Sequence, residues 1–353
     1  MKLTSLFDHF WQFFTHDLAI DLGTANTLVA VAGKGVVIRE PSMIARHKKT
    51  KETLAIGATA KKMIGKTPAT IEAIHPLKDG VIADFDAAEV MLEKFIRLVH
   101  QSGRVVPMIP KPRVVIGIPS GVTEVERRAV QDLALSAGAR KAYLVEEPMA
   151  AAIGLGLPIE EPEGMLVIDI GGGTTEIAVI SLGGIVVSRC LRIAGKEMDD
   201  AIINFVRLKY SLLLGQATAE EVKIQIGSAS PGKKEKHIVV RGRDLEEGLP
   251  KSVKLSATEV REAIAPVVRQ IIDSLTSVLE ETPPELTSDI VKKGINLCGG
   301  GSLLVGISDV ISEETKIPVY QAEAPLDTVV IGCGRVMEEP GLLQKVKVRG
   351  GLR

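Results

Sequence analysis

Aromatic side chains make up only 3% of the 353 residues, with a single tryptophan. Proteins that stack single-stranded bases need more of them. An excess of charge of one sign is missing too: 43 Lys and Arg stand against 44 Asp and Glu, a formal net charge of -1. Neutralising a phosphate backbone draws on a Lys/Arg surplus, so nucleic acid is not expected as a partner. Cysteine is scarce. Cys190, Cys298 and Cys333 are odd in number and far apart. That pattern argues against a disulfide framework and fits buried thiols in a reducing compartment. The six His are scattered, which leaves no zinc-ligand spacing. No apolar run reaches the ~20 residues that cross a bilayer.

What is present is a globular balance, 45% hydrophobic and 25% charged, at a length that suggests two domains. One pattern occurs twice. "LAIDLGTANTLVAVAGKG" runs from Leu18 to Gly35, and "LVIDIGGGTTEIAVISLGG" from Leu166 to Gly184. Asp21 matches Asp169, Gly23 matches Gly171, and Thr27 matches Thr175. Each copy is an apolar strand ending in Asp-x-Gly, a tight polar turn and a second apolar strand. The glycines let backbone N–H groups approach anionic oxygens with no Cβ in the way. The strand-end aspartate suits Mg²⁺ held through water, because Mg²⁺ gives up its waters reluctantly. One such turn reads equally well as an ordinary hairpin. Two in matching positions read as a pair of phosphate-gripping jaws.

A third glycine turn, Gly299-Gly300-Gly301-Ser302, follows a strand and is predicted to open a helix, another anion-binding arrangement. A P-loop is excluded because no G-x-x-x-x-G-K-[ST] occurs. A dinucleotide fingerprint is excluded because Gly171, Gly172 and Gly173 precede a strand pattern, not a helix. Elsewhere, capping-box spacing predicts helix starts at Asp86/Glu89, Thr123/Glu126 and Thr218/Glu221, and a long helix is expected from Glu259 to Glu280 behind Ser256.

The duplicated Asp-x-Gly turns and the late Gly-Gly-Gly-Ser turn resemble the actin, Hsp70 and sugar-kinase superfamily. Within it the chain is similar to the MreB family of bacterial actins. The strings that carry this include "DLAIDLGTANTLVAV", "VEEPMAAAIGLGLP", "TAEEVKIQIGSASP" and "INLCGGGSLL", and they extend from about Asp17 to Val346. The resemblance implies an α/β fold, a duplicated actin-like (ribonuclease H-like) core in two lobes around a nucleotide cleft. It implies a first lobe over 17–157 with a small outer subdomain near 42–80. A second lobe covers 158–330, with an outer subdomain near 195–256. Residues 331–353 return to the first lobe. It implies ATP with Mg²⁺, with Asp21 and Asp169 on the metal side. Thr24, Ala25 and Asn26 match the first phosphate turn, and Gly172, Gly173 and Thr174 the second. Glu220, Glu221, Val222 and Lys223 match the segment beside ribose and adenine. Gly300, Gly301, Ser302 and Leu303 match the adenosine turn.

Phosphoryl transfer to water needs a polar side chain that orients the water. "VEEP" offers Glu146 and Glu147, and neighbours on a strand point opposite ways, so one of them is expected to face the nucleotide. The resemblance gives that place to Glu147. An acid at the start of a helix, interacting with the helix dipole, is the competing role. The implied function is a weak ATPase that forms membrane-associated filaments and organises cell-wall synthesis, setting rod cell shape. Its partners would be further copies of itself, a membrane-anchored cytoskeletal adaptor and the wall-synthesis machinery. A small-molecule kinase is the first competitor, but no feature marks a substrate pocket. A chaperone-type ATPase is the second, and it would need a peptide-binding module beyond the nucleotide part.

Two segments suggest a lipid surface and a location on the inner face of the cell membrane. At residues 1–16, Leu3, Leu6, Phe7, Phe10, Trp11 and Phe14 fall at helical spacing on one face, as in helices that lie in a membrane interface. Asp8, His9 and Gln12 interrupt any signal-peptide core. The alternative is a helix packed on the protein's own surface. Val105, Val106, Met108 and Ile109 form an apolar run in a Pro-rich loop, and the resemblance makes Val105–Ile109 a membrane-inserting loop. Folding back on the core is the alternative there.

Overall fold

The computed structural model describes residues 15–101, 111–232 and 234–348. The apolar faces expected of Leu3 to Phe14 and of Val105–Ile109 lie outside these residues. The chain divides into two compact units. The first comprises residues 1–162, 180–185 and 326–353, and the second 163–179 and 186–325.

In the first unit, β1 (Leu18–Leu22), β2 (Asn26–Val31) and β3 (Gly35–Pro41) follow one another, then β4 (Ile44–His47), β5 (Thr53–Ile56) and β6 (Ile71–Ile74). The short β7 (Leu77–Lys78) and β8 (Val81–Ile82), and finally β9 (Arg113–Ile118) and β10 (Lys141–Glu146), complete the set. The main sheet has the order β10-β9-β1-β2-β3. β1 runs antiparallel to β2 and parallel to β9, and β9 is parallel to β10. Alternation decides which side chains go where. Leu18, Ile20 and Leu22 enter one core with Met91, Leu92, Phe95 and Ile96 of helix Phe85–Gln101 and Leu133 of helix Glu124–Ser136.

Helices Glu147–Leu155 and Thr328–Glu338 meet backbone to backbone. A Cβ on Gly154 would overlap the Thr328 carbonyl, and one on Gly332 the Ala150 carbonyl. The small sheet β5-β4-β6 is tied in by Arg46. That guanidinium is almost fully buried and reaches Glu72 at 2.8 Å and Asp84 at 2.5 Å.

The second unit has β11 (Met165–Ile170), β12 (Thr175–Ser181), β13 (Gly184–Leu191), β14 (Leu212–Leu213), β15 (His237–Asp244), β16 (Pro250–Ser256), β17 (Ile295–Cys298) and β18 (Val319–Gln321). The residues between Ser181 and Gly184 are grouped with the first unit. Its main sheet, β13-β12-β11-β17-β18, repeats the first unit's order of three successive strands and two later parallel ones. The repeated motif is thus a repeated sheet. The core gathers Leu166, Ile168 and Ile170 of β11 with Met198, Ile202, Val222, Ile264, Ile271 and Leu275 from the helices. Among the described residues no helix is long and apolar enough to cross a membrane.

The capping box at Thr123/Glu126 forms as expected, and the long helix Ala257–Glu281 starts two residues before Glu259, because Ser256 and Glu259 form a second box; both reciprocal bonds are present in each. Two expected boxes do not form. The Phe85–Gln101 helix starts before Asp86, and Asp84 accepts the Ala87 N–H at 3.0 Å instead. Thr218 lies inside helix Gln216–Ile226, whose first turn bonds to the Gly215 carbonyl.

Glu259 does more than cap. Partial burial opposes its charge, but Lys209, Tyr210 and Ser256 bond to the carboxylate and bring it down to about 2. A depressed carboxylate stabilises the fold above its unfolded value and loses that contribution as pH falls toward the folded one. Glu259→Gln should therefore cost about 1–2 kcal/mol near pH 7, reduced from the full shift by solvent screening. Urea unfolding across pH should show that gap constant down to roughly pH 5 and narrowing below it.

Candidate functional site

In the first unit, Asp21 is the fourth residue of β1 and pairs with Gly117 of β9. Gly23 follows, with no room for a side chain: a Cβ there would lie 2.8 Å from the Asn26 carbonyl. The turn at Thr24, Ala25 and Asn26 is braced from behind. Ser42 gives its N–H to the Ala25 carbonyl at 3.0 Å and its hydroxyl to the Gly23 carbonyl at 2.5 Å. Thr27, fully buried, lies 2.8 Å from the same hydroxyl. The Gly80 N–H donates to the Thr24 hydroxyl at 3.1 Å. Ser42 and Gly80 were not expected as part of the turn. Nothing in their local pattern marks them, because each acts across the fold.

Glu147 is the first residue of its helix, which follows β10 directly. It stands beside Gly117: a Cβ on that glycine would lie 3.4 Å from Glu147 Cγ, 3.1 Å from Val329 and 3.8 Å from Cys333 Sγ. Glu146 turns elsewhere. Burial raises its carboxyl, and Arg127 counters that. The Cys333 thiol records the acidic surroundings of Glu147. Burial first, then the Asp21 and Glu147 carboxylates, push it well above the ordinary thiol value. Burial also pushes Asp21 up to about 7. Both the helix-start position and the neighbourhood of Asp21 are therefore true of Glu147.

In the second unit, Asp169 is the last residue but one of β11, in register with Cys298, and is 8% exposed. The turn Gly171–Thr174 closes on itself, the Gly171 N–H bonding the Thr174 carbonyl at 2.8 Å. The next turn braces it, Gly195 N–H to Gly171 carbonyl at 3.2 Å and Lys196 N–H to Gly172 carbonyl at 2.8 Å. Thr175 is the counterpart of Thr27, buried and donating to the Ile193 carbonyl at 2.7 Å.

The third glycine turn packs on this strand. Gly299 has φ +82°, and a Cβ there would overlap Asp169 Oδ1 and the Ile170 carbonyl. A Cβ on Gly301 would overlap Ile170 Cγ2. Gly300–Leu303 is a single 3₁₀ turn, not the start of the helix, which begins at Ile307. The buried Ser302 hydroxyl donates to Gly299, and Gln321 to the Ser302 carbonyl. Leu303 is largely exposed.

On helix Gln216–Ile226 the four expected contact residues face different ways, as successive helical residues must. The Val222 side chain is in the core, leaving only its backbone for a ligand. Glu221 is exposed and bonds Gln225. Glu220 is half-buried, and Lys223 is held within the unit by Asp199 at 2.9 Å.

Each unit thus presents an aspartate near a strand end, behind a glycine turn that is hydrogen-bonded from the back, a shape that suits phosphate oxygens. The MreB/Mbl protein family model matches residues 15–345. The chain belongs to the MreB/Mbl family. It is 51% identical to the cell shape-determining protein MreB of Escherichia coli strain K12 over 92% of this chain and 94% of that one. It is 45% identical to the cell shape-determining protein Mbl of Bacillus subtilis, over 95% and 99%. A crystal structure of MreB5 of Spiroplasma citri bound to ADP superimposes with a TM-score of 0.87 at 40% identity, covering 94% of this chain and 98% of that one. The MamK double helical filament, at 23% identity and TM-score 0.78, shares the actin-like fold. The family assignment and this fold agree with the duplicated sheet order.

The family's glycine turns leave a quantitative signature. Gly299→Ala combines a positive φ with overlap onto Asp169, which should cost about 2–4 kcal/mol. Thermal unfolding should fall by roughly 5–10 °C for a unit of this size. Gly334→Ala, in a helix with open space around it, should leave the midpoint unchanged or slightly higher.

Proposed function

We propose that this chain binds ATP, hydrolyses it weakly and assembles into filaments on the inner face of the cell membrane. There it organises cell-wall synthesis and sets rod cell shape. The observation that carries this reading is the duplicated turn, an aspartate and a back-braced glycine loop at the same place in two sheets of the same order. Support also comes from the relatives. The E. coli and B. subtilis proteins are called cell shape-determining, and S. citri MreB5 is bound to ADP in one crystal structure and AMPPNP in another.

The residues fit the group. Gly23, Gly171 and Gly301 stand where a Cβ would meet a carbonyl or a packed side chain, so the turns stay thin enough for phosphate to approach the backbone N–H groups. Thr24 to Asn26 and Gly172 to Thr174 would supply those donors. Gly300 to Leu303 and Glu220 to Val222 would hold the nucleoside, while the Lys223 ammonium is turned inward onto Asp199 and Gly195. Among the described residues no three His, Cys, Asp or Glu side chains gather into a metal site. Mg²⁺ would accordingly keep waters beside Asp21 and Asp169, as it commonly does. When bound it neutralises phosphate charge. Glu147 accepts a hydrogen bond from the attacking water and orients it. In the raised-carboxyl surroundings of Asp21, a charged metal favours the ionised form.

Filaments follow from a head-to-tail contact that does not close. A membrane-anchored adaptor and wall-synthesis enzymes are the partners that would read the filament's position.

Glu147→Ala separates binding from chemistry. ATP affinity should stay within about 3-fold, while phosphate release by the assembled protein falls about 100-fold. An unchanged hydrolysis rate would remove Glu147 from the role.

Lipid attachment is tested by co-sedimentation with liposomes, with and without ATP. Each large apolar side chain contributes roughly 1.5–3 kcal/mol when buried, and ordering a residue costs ~1–2 kcal/mol. One molecule should therefore bind weakly and a filament strongly, because linked sites act together. Removing residues 1–16, or replacing Val106, Met108 and Ile109 with Ser, should weaken lipid binding by filaments, measured against the lipid-free pellet. Full lipid binding by both variants would place the anchor elsewhere.

A further inference from the structure

Helix Gln216–Ile226 is joined to the second phosphate turn by one ammonium. Lys223 Nζ lies 2.9 Å from Asp199 Oδ1 and donates to the Gly195 carbonyl at 2.6 Å. Gly195 passes the connection on, its N–H bonding the Gly171 carbonyl while Lys196 N–H bonds the Gly172 carbonyl. Carboxylate, ammonium and two backbone turns form a continuous chain that ends at the loop Gly171–Thr174. The space is full: a Cβ on Gly195 would lie 3.3 Å from Lys223 Nζ and 3.4 Å from the Gly171 carbonyl.

Asp199 is 6% exposed on helix Gly195–Tyr210. A carboxylate so enclosed is costly unless paired and hydrogen-bonded. Burial pushes it up to about 6, against the pull of Lys223. The family resemblance makes Lys223 a contact for ribose and adenine. Its ammonium is instead turned inward onto Asp199 and Gly195.

We propose that Asp199 is a positioning residue for nucleotide binding, acting through Lys223 to hold the 194–196 turn against Gly171–Thr174. The backbone donors of that loop then keep the spacing that phosphates require. This rests on the ATP-binding reading above. It differs from a direct Lys223 contact in one respect: the strut serves the phosphates and leaves the nucleoside alone.

The experiment is a titration of the full chain with a fluorescent ATP analogue, for the wild type, Asp199→Asn, Lys223→Met and the double variant, each followed by competition with unlabelled adenosine. Breaking one charged strut should weaken ATP binding about 10-fold in either single variant. The double variant should lose no more, because both changes cut the same connection. Adenosine competition should be unaltered by Asp199→Asn. Unchanged ATP affinity in Asp199→Asn overturns the proposal. So do losses that multiply to roughly 100-fold in the double variant, since Lys223 would then act on the ligand independently. Should Lys223→Met fail to fold, the Asp199→Asn comparison decides alone. Loss confined to the phosphate-bearing ligand supports the strut, and equal loss of both ligands overturns it. A wild type that does not bind ATP overturns the nucleotide reading itself, and this one with it.

Discussion

The contact between Gly299 and Asp169 is the constraint on which the second unit's site depends. A carboxylate near the end of a central strand is 8% exposed, and the neighbouring strand's turn is pressed against it so closely that only hydrogen fits. Remove the glycine and the turn must lift, taking Ser302 and its bonds to Gly299 with it. The first unit makes the same kind of demand at Gly23, where the carbonyl of Asn26 occupies the space a side chain would need. Tight glycine turns work as ligand cradles only if they cannot sag. Here the stiffness comes from behind: Ser42 and Thr27 in one unit, the 194–196 turn and Thr175 in the other.

The two braces are chemically different solutions to one problem. In the first unit a buried hydroxyl pair does the holding, Thr27 with Ser42. In the second, backbone amides carry the load and a charged pair reaches in from two helices. Hydroxyls bond in any direction they can rotate to, at little desolvation cost. A buried ion pair is costly to create and costly to leave half-made. The second loop is thus sensitive to its surroundings in a way the first is not.

How much of this could be read from the amino-acid order varied with the range of the interaction. The strand–turn–strand repeat was legible because alternation, glycine and aspartate all lie within twenty residues, and the duplicated sheet order follows from it. Capping at Thr123 was legible because both partners of the box are three residues apart. At Asp86 the same spacing misled: Asp84 is as good a hydrogen-bond acceptor for the first turn, and the cap lies two residues earlier. At Thr218 the spacing misled because the preceding glycine already closes the turn. The resemblance implies Lys223 beside the nucleoside, and the direction of its ammonium is not legible in the sequence. That direction is set by Asp199, twenty-four positions away, and no local pattern carries it.

The crossing of helices Glu147–Leu155 and Thr328–Glu338 has a mechanical meaning. Where side chains separate two helices, rotamer changes can absorb a small displacement. Between Gly154 and Thr328, and between Gly332 and Ala150, there is no such cushion, only backbone against backbone. The joint therefore behaves as a rigid coupling. A tilt of the later helix becomes a tilt of the earlier one, and Glu147, at its leading end, moves with it.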